Sequence, residues 1–254
     1  MTDAVEPSKD ILGNAAGRNL TFGLLDSLGK AIVRGDFATR GFPTESDLSQ
    51  AHGVSRSVTR EAVKMLAAKG VLSARRRQGT FIQPEENWNL FDTDVLRWLL
   101  ERRASIKLLR HFTELRVAVE PQAAALAALR ATPRQVAAIA HGLARMRDGE
   151  SSGDEPLQAD IAFHRAILLA AQNPFYAQFQ EMVSSALHTS IRFTNRIAGR
   201  NASIEDHTAV YEAIAAGDAR AARSTMSRLI EDVLNLIEAN ANRYPDDTGF
   251  DDQH

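Results

Sequence analysis

From Leu20 to Ile32, apolar residues fall at positions 20, 24, 25, 28, 31 and 32, the spacing of one buried helical face. Residues 1–17 before it are polar, carry Gly13 and Gly17 and keep no period, so a flexible leader is expected there. Gly35 and the stretch through Pro43 break the pattern. Thr44-Glu45-Ser46-Asp47 then sets a hydroxyl three residues ahead of a carboxylate, a capping arrangement that predicts a short helix ending near Gly53. A third helix is expected from Ser55–Ser57 to Lys69, with Val58, Ala62, Met65 and Leu66 on one face and Gly70 as its left-handed stop. Two short apolar runs, 71–74 and 80–82, flank Arg75-Arg76-Arg77-Gln78-Gly79 and read as a small hairpin.

After Pro84 the period is helical throughout. Helices are expected over 93–101, 105–130, 133–147, 155–172, 174–197, 204–216 and 219–242. Thr132-Pro133-Arg134-Gln135 combines a cap, a first-turn proline and a capping-box glutamine. Asn173-Pro174 and Ser203-Ile204-Glu205-Asp206 start two further helices, and Gly217 stops one. The expected fold is mainly α. It comprises a leader over 1–17, a winged helix-turn-helix over 18–83, a linker over 84–92, an all-α helical bundle over 93–243 and an acidic tail over 244–254.

Charge divides along the same line. The chain of 254 residues has a net charge of −2, yet residues 18–82 carry +6 and the remainder −8. A basic module joined to an acidic one suits polyanion binding by the first part alone; clustering on a solvated face is the plain alternative. Cysteine is absent, which excludes disulfides, thiolate nucleophiles and thiolate zinc sites. No apolar run reaches 18 residues, and the first thirty lack a basic-then-apolar leader. A soluble cytoplasmic protein with no membrane partner is therefore expected.

The stretch 53–64 carries the first candidate site. Ser55, Ser57 and Thr59 place hydroxyls at a helix start, where amides and dipole meet phosphate. Arg56 and Arg60 stand one turn apart on one face, spaced to fork onto guanine edges in a major groove. Arg75, Arg76 and Arg77, with Gly79 in the turn, would reach phosphates or a narrow minor groove. Thr44, at the start of the preceding helix, completes the DNA-facing set. Ion pairs of Arg56 and Arg60 with Glu61 or Asp47 are the competing reading.

The motifs Phe42-Pro43-Thr44-Glu45, Val54-Ser55-Arg56, Val58-Thr59-Arg60-Glu61-Ala62, Leu66-Ala67-Ala68-Lys69-Gly70-Val71 and Gln78-Gly79-Thr80-Phe81-Ile82 resemble the GntR winged-helix domain from Leu20 to about Gln83. In the fatty-acid branch of that family an arginine follows the motif glutamate. Ser46 stands there in this chain, so that branch's base preference does not carry over.

Residues 90–242 resemble the all-helical effector domain of the FadR branch, the FCD type. The likeness rests on Leu115-Arg116-Val117-Ala118-Val119-Glu120-Pro121, Asp160-Ile161-Ala162-Phe163-His164, Asn173-Pro174, and His207 followed by Ala213-Ile214-Ala215-Ala216-Gly217-Asp218. The stretch 88–98 is similar to the linker of members that respond to sugar acids such as galactonate. Asp160 and His164, four apart, project from one helix face and can share a divalent metal. The resemblance adds His207 and a further histidine twenty-two residues on, where this chain has Leu229. Either three ligands hold a zinc-like ion with an open position, or the metal is lost and the pair hydrogen-bonds a polar ligand. Arg116 interrupts an apolar face between Phe112, Leu115 and Val119. It either clamps an effector carboxylate or pairs internally with Glu120 or another acid. Arg192 and His188 are further candidates for the same cavity.

These features imply a ligand-responsive regulator, a homodimer on double-stranded operator DNA. Repression of a carbon-catabolic operon would be relieved by a small carboxylate such as a sugar acid. The alternative is a metal-dependent enzyme using Asp160, His164 and His207, for which the chain supplies no nucleophile or phosphate-cradling loop.

Overall fold

The computed structural model describes residues 9–75, 79–102, 106–148, 155–198 and 203–240. They form two compact units that part between Arg102 and Arg103.

The first unit begins with α1 (Lys9–Val33), so residues 9–17 of the expected leader are helical; 1–8 lie outside the described residues. Leu24, Leu25, Leu28 and Ile32 are buried, as the 3.6-residue spacing requires. Next come α2 (Glu45–His52) and α3 (Arg56–Ala68). The Thr44 hydroxyl accepts from Asp47 N at 3.2 Å, and Asp47 Oδ2 accepts from Thr44 N at 3.2 Å, satisfying two amides a free helix end would orphan. Gly53 closes α2 in the left-handed region at φ 63°. Ser55 caps α3, accepting from Val58 N at 3.3 Å.

Gly70 ends α3 at φ 76°, and a β-carbon on it would come within 2.6 Å of the Asn87 carbonyl oxygen. Both facts demand glycine, because the chain returns here to lay 85–89 against the helix end. Strands β1 (Leu72–Arg75) and β2 (Gly79–Ile82) pair antiparallel, with Leu72 opposite Ile82 and Arg75 opposite Gly79.

The expected linker is not a loose tether. It includes a short 3-10 turn at Glu85–Asn87, a buried Trp88 whose Nε1 donates to the Gln83 carbonyl at 2.8 Å, and Asn89 N donating to the Lys69 carbonyl at 3.0 Å. Lys69 reaches Asp92 and Asp94 at 2.8 and 2.9 Å. Helix α4 (Thr93–Arg102) then packs on α1. Trp98 is buried between them, donating to Asp26 Oδ1 at 2.8 Å. Thus α4, read from sequence as the first helix of the bundle, lies with the winged helix.

The second unit is all-helical: α5 (Ile106–Arg130), α6 (Pro133–Asp148), α7 (Glu155–Ala170), α8 (Pro174–Ala198), α9 (Ile204–Ala215) and α10 (Ala219–Asn240). Helix α5 packs against α7, α8, α9 and α10, which puts its middle turns in the interior. The Thr132–Gln135 capping box forms as its sequence requires, at 3.3 and 2.9 Å. No described helix is long and apolar enough to cross a membrane.

Candidate functional site

On α3, Arg56 and Arg60 are exposed, one turn apart. Neither has an ion-pair partner among the described residues. Their sequence-level competitors are engaged elsewhere, Glu61 with Lys64 at 2.9 Å and Asp47 in the Thr44 cap. Both arginines, with exposed Ser55 and Ser57, present a free cationic face at a helix N-terminus. Thr59 is a correction. It is fully buried on the face of Ala62 and Leu66 and donates to the Ser55 carbonyl at 3.3 Å. Three residues past the exposed Arg56, the helix has turned it inward, so its hydroxyl is not presented on the exposed face with Arg56 and Arg60. Thr44 and Gly79 are exposed. Arg75 is exposed and its guanidinium lies 4.7 Å above the Phe81 ring, a stacking that orients it on the hairpin. Arg76 and Arg77 lie outside the described residues.

The second constellation is assembled from three helices of the all-helical unit. Arg116 and Glu120 stand one turn apart on α5, Asp160 and His164 one turn apart on α7, and His207 sits in the first turn of α9; all five are buried. The 120–121 step places Pro121 inside α5, so the turn carrying this pair lacks one backbone hydrogen bond. Glu120 Oε1 lies 2.5 Å from Arg116 Nε, and Oε2 lies 2.5 Å from His164 Nδ1. Asp160 Oδ1 lies 3.3 Å from Nε2 of both His164 and His207. Arg116 Nη2 is 3.5 Å from His164 Nε2. Phe163 meets both imidazoles edge-on, its centroid 5.8 Å from His164 and 5.1 Å from His207.

Hydrogen-bonding roles show what this arrangement can hold. His207 Nδ1 donates to the Ser203 carbonyl at 2.6 Å, the residue whose hydroxyl also caps α9. His164 Nδ1 donates to Glu120. A neutral imidazole has a single N–H, so with Nδ1–H spent, the Nε2 of a neutral ring is left as a ligand atom beside the Asp160 carboxylate. Two imidazole nitrogens and a carboxylate oxygen that lie within 4.8 Å of one another form a set able to hold a metal ion. The two 3.3 Å separations from Asp160 Oδ1 also suit that role: ligands about 2.0–2.2 Å from a tetrahedral zinc stand ~3.3–3.6 Å apart. The donor set therefore fits a zinc-like ion held by Asp160, His164 and His207.

Charge is balanced within the cluster. Burial alone would raise Glu120, but Arg116 and His164 bring its pKa down to about 2. Burial would likewise raise Asp160, yet hydrogen bonds from His164 and His207 hold it well below the carboxylate range. Burial lowers His164, and the Glu120 and Asp160 carboxylates outweigh it, lifting its pKa to about 9.

Of the two sequence readings of Arg116, the structure shows the internal pair with Glu120, with Nη2 next to His164. Leu229, where the resemblance sets another histidine, is a buried apolar side chain on α10 and offers no ligand atom. His188 is half-buried and accepts from Gln158 Nε2 at 3.0 Å; it is not among the grouped ligands. The Arg192 side chain lies outside the described residues. Glu120 is the member that sequence reasoning left as a mere ion-pair partner. Its signal was a second charge four residues from Arg116 on an apolar helix; its bond to His164 is a tertiary contact.

Residues 24–82 match the family described as bacterial regulatory proteins, gntR family, and residues 111–232 match the FCD domain. The chain is 32% identical over 219 residues to the uncharacterized HTH-type transcriptional regulator YieP of Escherichia coli K12, covering 85% of this chain and 94% of that one. The chain belongs to the GntR family. It is a transcription regulator of the GntR/FCD type. A second relative, the galactonate operon transcriptional repressor of Escherichia coli K12, is 32% identical over 215 residues, covering 84% of this chain and 94% of the other. Among solved structures, E. coli McbR/YncC matches with a TM-score of 0.52 at 18% identity, over 88% of this chain and 99% of that one, a shared fold. Helix α4 of this GntR regulator falls between the two matched segments.

Proposed function

We propose that this regulator is a homodimeric repressor of a carbon-catabolic operon, released from its operator by a small carboxylate such as a sugar acid. Arg56 and Arg60 read bases in the major groove, Ser55 and Ser57 meet phosphate, and the hairpin arginines reach the flanking backbone. In the helical unit, Asp160, His164 and His207 hold a zinc-like ion that supplies a Lewis-acidic seat for an effector's oxygens. Arg116 clamps the effector's carboxylate beside it. The observation that carries this reading is the convergence of two imidazole nitrogens and a carboxylate beside a buried guanidinium. That combination is suited to taking a cation and an anion side by side. The name of the galactonate operon repressor, a relative at 32% identity, favours a sugar acid as the anion. Effector binding would shift the population of dimer geometries that span two half-sites.

The test is fluorescence anisotropy with labelled DNA from upstream of the protein's own gene, at fixed salt and with random DNA as competitor, because phosphate contacts alone make basic proteins bind. Competitor-resistant binding that a sugar acid reverses is expected. Binding no tighter than to random DNA, or indifferent to every carboxylate tried, would refute the reading.

A further inference from the structure

Neutralising Arg116 needs one carboxylate oxygen, yet Glu120, 1% exposed, uses both. Oε1 takes Arg116 Nε on its own helix, and Oε2 takes His164 Nδ1 across to α7, each at 2.5 Å. With Nδ1–H held, the His164 ring can turn only Nε2 toward Asp160. With Nε held, the outer end of the guanidinium, Nη2, stays 3.5 Å from that same Nε2. One buried carboxylate thereby sets His164 Nε2 and Arg116 Nη2 in a fixed relation.

We propose that Glu120 is the positioning residue that couples metal binding to carboxylate binding in this site. The inference rests on the metal-and-carboxylate reading above. A divalent ion on Nε2 would stand beside the guanidinium with like charge. A carboxylate bound across both relieves that repulsion, so each ligand strengthens the other, and by linkage the two enhancements are equal. Gln in place of Glu120 keeps the shape but has one acceptor oxygen. It can hold Arg116 or His164, and its NH2 faces the other as a donor opposite a donor. The fixed relation is then lost without emptying the space.

The experiment uses full-length protein, Co²⁺ as the metal and acetate as the carboxylate. Wild type should bind Co²⁺, with acetate tightening it at least about fivefold and Co²⁺ tightening acetate equally. Glu120→Gln should weaken Co²⁺ by roughly 10–100-fold, shift its d–d bands and bring the enhancement near one. Imidazole ¹⁵N spectra of the Zn²⁺-loaded wild type should show His164 protonated at Nδ1 and metal-bound at Nε2. Wild type that binds no Co²⁺ would sink the metal reading together with this proposal. Metal binding with an enhancement unchanged in Glu120→Gln would overturn the role of Glu120 alone. Acetate that leaves Co²⁺ affinity in wild type unaltered overturns the coupling. Should Glu120→Gln not fold, a His164 ring bound through Nδ1 in wild type would still refute the proposal.

Discussion

Trp98 lies so close over Gly29 that a β-carbon there would come within 2.5 Å of three carbons of the indole ring. The contact joins α1 to α4 and makes the segment after the linker part of the DNA-binding unit. Alanine inside a helix is normally favoured over glycine by about 1 kcal/mol. At position 29 the sign reverses: Gly29→Ala should destabilise the first unit by about 1–3 kcal/mol through overpacking. Urea titration followed by tryptophan fluorescence reads this. Adding Trp98→Leu should recover part of the loss, and a stabilised Gly29→Ala would mean Trp98 does not pack there.

Asp26 receives Trp98 Nε1 at 2.8 Å, Arg97 at 2.8 Å and Lys30 at 3.1 Å. Burial would raise its pKa, but these three donors bring it from 3.8 to about 2. A depressed carboxylate stabilises the fold above its unfolded pKa, and the contribution fades as pH falls toward the folded value. Asp26→Asn, which still accepts from Trp98, should be less stable than wild type at pH 7. The gap should narrow between pH 4 and 2. A gap independent of pH would show that shape and not charge matters at this position.

Neighbouring residues on α3 should give opposite phenotypes. Arg60→Ala is expected to abolish specific DNA binding with an unchanged melting temperature, since Arg60 is exposed. Thr59→Ala is expected to lower stability by about 1 kcal/mol and leave base preference intact, since Thr59 is buried. Equal loss of stability in both variants would make Arg60 structural.

Arg116→Ala should retain operator binding and lose its response to the carboxylate that releases wild type. Because Glu120 keeps His164 as a partner, the fold should survive at reduced stability. Thermal melts and anisotropy on one preparation separate the two effects; an unchanged response would remove Arg116 from the site.

Metal removal offers a further check. Zn²⁺ at about 100 times its Kd should stabilise the protein by ~2.7 kcal/mol, and a chelator should reverse the shift. Asp160→Ala and His207→Ala should each abolish it. A shift that persists in both would place the ion elsewhere.

Local signals determined most of the fold. Caps at Thr44, Ser55, Thr132 and Ser203 act over three or four residues, so the starts of α2, α3, α6 and α9 were legible from the chain. The apolar face of α1 was equally plain, but its N-terminal extension to Lys9 was not, because the polar stretch 9–17 carries no period. Thr59 misled because its neighbours Ser55, Ser57 and Arg60 all face solvent, and a hydroxyl suits either a phosphate or a buried backbone carbonyl.

The sequence by itself determined the two-part plan, the exposed arginine pair and the Asp160–His164 pair, since each rests on spacing within one helix. Only the tertiary structure decided that α4 belongs with the winged helix, that His207 meets Asp160 across forty-seven residues, and that Glu120 bonds Arg116 and His164 at once. Helical period fixes which residues share a face. Which faces then meet is set by packing between helices distant in the chain, and buried polar groups find their partners only when that packing is complete.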